Sequence, residues 1–245
     1  MLGGQNIRTR SQALVNDDLL IDLPADTYSH FLNNGIEGDK IQNLLITHSH
    51  QDHFYPDELQ MRGGAYAHNM RITKLNVFCG EGAYKKLEGF LGDHALVSVH
   101  LLKAFEPVKI GNYTVTALPA RHHLGDSALF YIIQNGEKTI LYAHDTGYFY
   151  DEVFEYIENN KFKIDLISLD CTSINIPIPD TDGHMGLDNI RRLVEKLTES
   201  GSVTDETVKI INHFSHNAEP IQHKMESQVK EDGFLVAYDG FELDV

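Results

Sequence analysis

A layered α/β fold is expected from three features of this 245-residue chain. Short apolar runs rich in Ile, Val, Leu and Tyr recur along it as strand candidates. Amphipathic, helix-spaced segments lie between them. Several of the strand runs end in a polar cluster of His or Asp, and strand ends are where α/β folds commonly place their sites. The length suffices for one large core. No repeat, low-complexity segment or long Pro/Gly linker divides the chain, so a single domain over 1–245 is expected.

The elements follow in order. "LVNDDLLI", within 11–22, sets turn formers between two apolar runs and reads as a hairpin. Strand candidates continue at 43–47, 75–80, 95–102 and 113–120. "IIQNGEKTILY" joins the candidates at 129–134 and 139–145, and Asn135-Gly136 suits a tight hairpin turn. Further strands are expected at 164–170, 208–213 and 234–240. Helices are expected near 24–34, 56–62, 81–91, 149–160, 186–199 and 219–230. In "GLDNIRRLVEKL", Leu187, Ile190, Val194 and Leu197 recur at helical spacing and make one apolar face. Early hairpins followed by alternating strands and helices predict mixed sheets covered by helices.

Composition excludes several classes. A net charge of −16 argues against a broad polynucleotide-binding surface, which needs Lys and Arg to displace counterions. A small anionic substrate stays compatible, because a bound dication reverses the local sign inside a cleft. No run of about 18 apolar residues is present, so no membrane span is expected. The start, "MLGGQNIRTR", lacks the apolar stretch of a secretory signal. Two cysteines, Cys79 and Cys171, make no disulfide framework, and a cytoplasmic setting is expected.

The main signal is histidine. Of the 14, five (His30, His68, His94, His100, His223) have no suggestive partner; the other nine lie in "THSHQDH", "ARHH", "AHDTG", "DGHMG" and "NHFSHN". In "THSHQDHF", directly after the apolar "NLLI", His48 and His50 are two apart on extended backbone and point to the same side. Asp52 and His53, farther along the loop, can face a second ion. Neutral imidazoles with anionic oxygens are the donor set that borderline divalent metals accept.

These motifs resemble the metallo-β-lactamase fold superfamily of binuclear metallohydrolases. "HSHQDH" carries that likeness. "YAHDTG", "LDCT…DGHMG" and "NHFSHN", in that order, resemble its phosphodiesterase branch, which includes phosphoribosyl cyclic phosphate phosphodiesterase and ribonuclease Z. The likeness runs from "IRTRSQALV" to "NHFSHN" and implies a four-layer αββα fold. It further implies that His48, His50 and His122 bind one ion, that Asp52, His53 and His213 bind a second, and that Asp145 bridges them. His123 is the alternative to His122, and His216 to His213; the strand-proximal member is preferred in each pair. His144, adjacent to Asp145 on a strand, points to the opposite face and reads as a packing group.

The branch also implies a general acid, here His184 backed by Asp170. The expected chemistry is attack of metal-bridged hydroxide on phosphorus, with Asp52 orienting the nucleophile and His184 protonating the leaving oxygen. Two divalent ions are expected, zinc or manganese, with iron or nickel also suited to the donors. The expected substrate is a small or cyclic phosphodiester. The alternatives are metal-dependent hydrolysis of a carboxyl ester, lactone or thioester, and metal binding without turnover. The chain departs from the family pattern at its start, where the usual first strand and its Gly-rich turn are missing. Either the sequence is shortened there, or a sheet edge is left to be covered some other way, for instance by a partner chain in a homodimer.

Overall fold

A computed structural model describes residues 3–63, 65–88, 96–122 and 125–245. The chain divides into two compact units. One comprises Thr9–Lys103 and Gly125–Leu129; the other comprises Met1–Arg8, Ala104–Leu124 and Phe130–Val245.

In the first of these, strands β1 (Ala13–Val15) and β2 (Leu19–Ile21) form the expected hairpin, and the chain continues through helix α1 (Thr27–Asn34). Strands β3 (Asn43–Ile46), β4 (Leu75–Cys79) and β5 (Val97–Leu101) then add in parallel, in the order β1-β2-β3-β4-β5. All four residues of β3 are buried, and Leu44, Leu45 and Ile46 make the continuous apolar run typical of a strand in a parallel sheet. Helix α2 (Glu81–Glu88) covers the sheet, with Ala83 and Leu87 packed on Leu44, Ile46, Val77 and Cys79. The 56–62 segment is a 3-10 helix rather than an α-helix. Its first residue, Pro56, has no N–H to give, which suits a helix start.

The larger unit holds a seven-stranded sheet in the order β12-β11-β10-β9-β8-β7-β6. Its strands are β6 (Pro107–Ile110), β7 (Tyr113–Pro119), β8 (Leu129–Asn135), β9 (Lys138–Ala143), β10 (Leu166–Asp170), β11 (Val208–Asn212) and β12 (Phe234–Val236). Strands β9 to β12 are parallel; β8 and β9 form the expected hairpin, pairing out to Asn135 and Lys138. Strand β6 is not among the sequence expectations. It is an edge strand that starts on a proline and is mostly solvent-facing, so it lacks the apolar signature of the others.

Helices α3 (Asp151–Asn159), α4 (Leu187–Glu199) and α5 (Gln222–Val229) pack on this sheet, with Phe130, Ile132, Leu141 and Leu169 beneath them. The buried face of α4 is Leu187, Ile190, Leu193 and Leu197, so Leu193 takes the central position expected of Val194, which is only partly buried. Both residues fit a helical period from Ile190; three residues on, not four, faces the sheet. His123, position 95 of the 95–102 strand and positions 89–91 of the 81–91 helix lie outside the described residues. Among the described residues no helix is long and apolar enough to cross a membrane.

Leu193→Ala is expected to destabilise the fold by about 2–5 kcal/mol, the range for a large-to-small change in a packed core. Val194→Ala should cost clearly less. Urea unfolding midpoints measure both, and equal losses would contradict this assignment of the buried face.

Candidate metal centre

The polar residues sit at strand ends. In the parallel part of each sheet, the C-terminal ends lie along one edge. Asp22 follows β2 and Thr47-His48 follow β3; Asp145 lies two residues beyond β9, Asp170 ends β10, and His213 follows β11. Asp22, Asp145 and His213 have φ of 65°, 48° and 59°. The left-handed region is uncommon for residues other than glycine, and Asp and His are among those that tolerate it. Three such residues at strand ends mark places where surrounding contacts hold the backbone against its preference.

In the smaller unit, Asp22 is fully buried and organises the histidine motif. Its carboxylate accepts the Thr47 N–H at 2.8 Å, the Thr47 hydroxyl at 3.0 Å and His53 Nδ1–H at 2.6 Å. With its proton given to Asp22, Thr47 Oγ1 accepts from His48 Nδ1 at 3.0 Å. Both imidazoles are thereby set as Nδ1–H tautomers with the lone pair on Nε2, the form a metal ligand takes. The His48 ring lies 4.5 Å from that of His50 and 4.6 Å from that of His53, centroid to centroid. Asp52 is half exposed, its Oδ2 3.9 Å from His53 Nε2.

In the larger unit, Arg121 N–H donates to Thr146 Oγ1 and Gly147 N–H to Arg121 O, which brings the His122 and Asp145 segments together. Gly147 is required there, because a Cβ would lie 1.9 Å from Asp182 O. His122 Nδ1–H donates to Gly183 O at 3.1 Å, and its Nε2 lies 3.7 Å from Asp145 Oδ2. His213 Nδ1 meets Thr172 Oγ1 at 2.8 Å, and its Nε2 lies 3.1 Å from Asp145 Oδ1. Again Nδ1 is tied and Nε2 is turned to the carboxylate. His216 is exposed, at the start of a 3-10 turn beyond His213. His144 is buried away from this set, its Nε2 2.7 Å from Ser168 Oγ and its ring against Tyr142.

His184 differs from the others. Its Nδ1 is 3.0 Å from Asp170 Oδ2 and 3.4 Å from Asp145 Oδ1. Burial opposes its charge, but the hydrogen bond and charge of Asp170, with the charges of Asp145 and Asp182, outweigh it and raise the pKa from 6.5 to about 9. Asp170 is itself held: Oδ1 accepts the backbone N–H groups of Thr172 and Met185, both at 3.0 Å. The loop carrying His184 is tied at its base by Ser173 N–H to Met185 O and Leu187 N–H to Ile174 O. Asp145, Asp170, His184 and His213 offer ligand atoms that all lie within 4.8 Å of one another.

Asp22 is the residue that sequence reasoning missed. A signal existed: "LLID" ends an apolar strand on an aspartate, as "LISLD" does. The donor chemistry in both units fits divalent metals. Four imidazoles have Nδ1 committed to a carboxylate, carbonyl or hydroxyl, and Asp22, Asp145 and Asp170 beside them are buried.

No curated protein sequence matches the chain. Many solved structures share its fold, among them the following three. A diphosphatase from the PhnP family is 20% identical, covers 94% of this chain and 80% of its own, and superposes with a TM-score of 0.70. Zn²⁺-bound PqqB from Methylobacterium extorquens is 16% identical over 97% and 88%, with a TM-score of 0.71. Human tRNase Z, short form, is 12% identical over 96% and 91%, with a TM-score of 0.65. At these identities the likeness is one of fold. The family model of the beta-lactamase superfamily domain matches residues 21–213, from the residue before Asp22 to His213. The chain therefore belongs to that superfamily and has the metallo-β-lactamase fold, the fold of metal-dependent hydrolases.

Proposed function

We propose that this protein is a binuclear metal-dependent phosphodiesterase acting on a small or cyclic phosphodiester. His48, His50 and His122 hold one ion, Asp52, His53 and His213 hold the other, and Asp145 is shared. The matched family segment spans all of these residues. The His and carboxylate donors suit zinc or manganese. When bound, two such ions supply an activated water and neutralise phosphoryl charge.

The observation that carries the phosphodiester reading is the His184–Asp170 pair at 3.0 Å. An alkoxide leaving group needs a proton, and an imidazolium held by a carboxylate delivers one. Asp170 fixes the ring through Nδ1, so Nε2–H is the donor to the leaving oxygen. Asp52, half exposed, orients the attacking water. A phosphodiesterase reading also agrees with two relatives of like fold, one described as a diphosphatase and one as a tRNase. The charge of −16 favours a small anionic substrate over tRNA, and the two buried thiols suit a reducing cytoplasm.

Metal analysis of the purified protein, joined to a panel of aryl phosphodiesters and acyl esters, tests this reading. Two ions per chain and phosphodiester turnover are expected; turnover of acyl esters, lactones or thioesters alone would replace the substrate class. Asp145→Ala should abolish binuclear occupancy, and retention of both ions would refute the shared carboxylate.

His184→Gln should lower kcat by about 10²–10⁴-fold on an alkyl leaving group. The loss should be smaller on a nitrophenolate, which leaves without a proton, and metal content should be unchanged. An equal loss on both leaving groups would remove His184 as the acid.

In the metal-free protein, proton NMR should find the His184 ring titrating near pH 9. Because its folded pKa lies above the unfolded value of 6.5, the charged ring stabilises the fold fully below about 6.5. That contribution is lost as the pH rises through about 9. The stability difference between wild type and His184→Gln should therefore shrink from pH 6 toward pH 10 in urea melts; a constant difference would count against it.

A further inference from the structure

The loop that carries "HSHQDHF" has no regular secondary structure, yet its backbone is held at Thr47, Ser49, His50, His53 and Phe54. Thr47 O accepts from Leu129 N–H at 2.8 Å, His50 O from Phe54 N–H at 2.7 Å, and His53 O from Leu23 N–H at 2.8 Å. Besides Asp22, which takes the Thr47 N–H, two charged side chains add anchors. Asp126 Oδ2 accepts the Ser49 N–H at 2.6 Å, and Lys86 Nζ donates to Ser49 O and Phe54 O, each at 2.7 Å. Asp126 is 5% exposed. Lys86 lies on α2 and also stands 5.3 Å above the centroid of the Phe54 ring.

One residue, Ser49, thus has its N–H on a carboxylate and its C=O on an ammonium. Charge-assisted hydrogen bonds of this kind are roughly twice as strong as neutral ones. Ser49 is flanked by His48 and His50, so both peptide groups that orient these two side chains are gripped. Phe54, the third grip, follows His53. The first turn of α2 is shaped for the carboxylate: a Cβ on Gly82 would fall 1.7 Å from Asp126 Oδ1 and 2.5 Å from Asp126 O.

We propose that Asp126 and Lys86 are positioning residues for metal binding, a charged clamp that sets the angle between His48 and His50 through the Ser49 peptide. Neither touches the ion. The inference rests on the metal-binding reading above but not on the choice of substrate. Its physical basis is preorganisation: ligands held by a rigid supporting shell bind a metal more tightly than the same ligands on a slack loop.

The test is zinc affinity, measured by competition with a chromophoric chelator, together with the melting temperature of each metal-free variant and amide exchange at Ser49. Asp126→Asn and Lys86→Met should each weaken zinc binding about 10–100-fold, the usual loss when a supporting partner of a ligand is removed. Lys86→Arg, which keeps the donors, should recover most of it. Gly82→Ala leaves all charges in place and favours the helix, yet displaces the Asp126 carboxylate, so it should mimic Asp126→Asn. The visible spectrum of the cobalt-loaded protein should shift in the weakened variants.

In metal-free wild type the Ser49 amide should be protected from exchange, a readout that stands even if a variant does not fold. Rapid exchange there, or wild-type zinc affinity in folded Asp126→Asn and Lys86→Met, overturns the clamp. Absence of zinc binding by wild type overturns the metal reading instead.

Discussion

The buried carboxylate of Asp145 is the constraint around which the larger unit is arranged. It is 2% exposed, sits on a left-handed backbone, and has three imidazoles within 3.1–3.7 Å. Asp170, fully buried, lies against two of them. Two carboxylates buried in a chain of charge −16 are costly unless positive charge or hydrogen-bond donors meet them. The fold meets that demand by bringing the ends of β7, β9, β10 and β11, and the loop before α4, to one edge of the sheet. A segment that failed to reach its place would leave a charged group buried and unmatched.

The smaller unit solves a like problem with Asp22. One carboxylate, also buried, fixes Thr47 and His53 directly and His48 through the Thr47 hydroxyl. Each unit therefore presents imidazoles whose tautomer is already chosen by a hydrogen bond at Nδ1. That choice costs folding energy at a few positions and removes the need to reorganise when a ligand arrives. Backbone strain at Asp22, Asp145 and His213 is the visible side of the same arrangement.

Among these groups, His184 is singled out by its surroundings rather than by its type. The other imidazoles at Asp145 turn Nε2 toward the carboxylate and tie Nδ1 to a neutral oxygen. His184 instead turns Nδ1 to two carboxylates, which raises its pKa. Identical side chains around Asp145 thus differ in which ring nitrogen lies nearest a carboxylate. The loop bearing His184 is short of regular structure, but its base is stitched to β10 and to the start of α4, so the difference is built into the fold.

Much was legible in the sequence because it was local. The strand runs, both hairpins and the motif "HSHQDHF" each declare themselves within a few residues. The expected strand through His144 and Asp145 ends at Ala143 instead, so the two are parted by a loop that turns left-handed at Asp145, not by strand alternation. The likeness of motif order to a known superfamily then fixed the fold class, and the family match agrees with it. What tertiary structure decided was every pairing between distant residues. Asp22 reads as an ordinary strand-end aspartate until it is seen 31 positions from its partner His53. Asp126, 77 positions from Ser49, carries no local signal at all. Leu193 rather than Val194 faces the core because the axis of α4 over the sheet, not its period, selects between neighbours. Sequence by itself determined which chemistry was available and at which strand ends. Only folding determined which nitrogen of each imidazole is tied, because that depends on acceptors supplied from far along the chain.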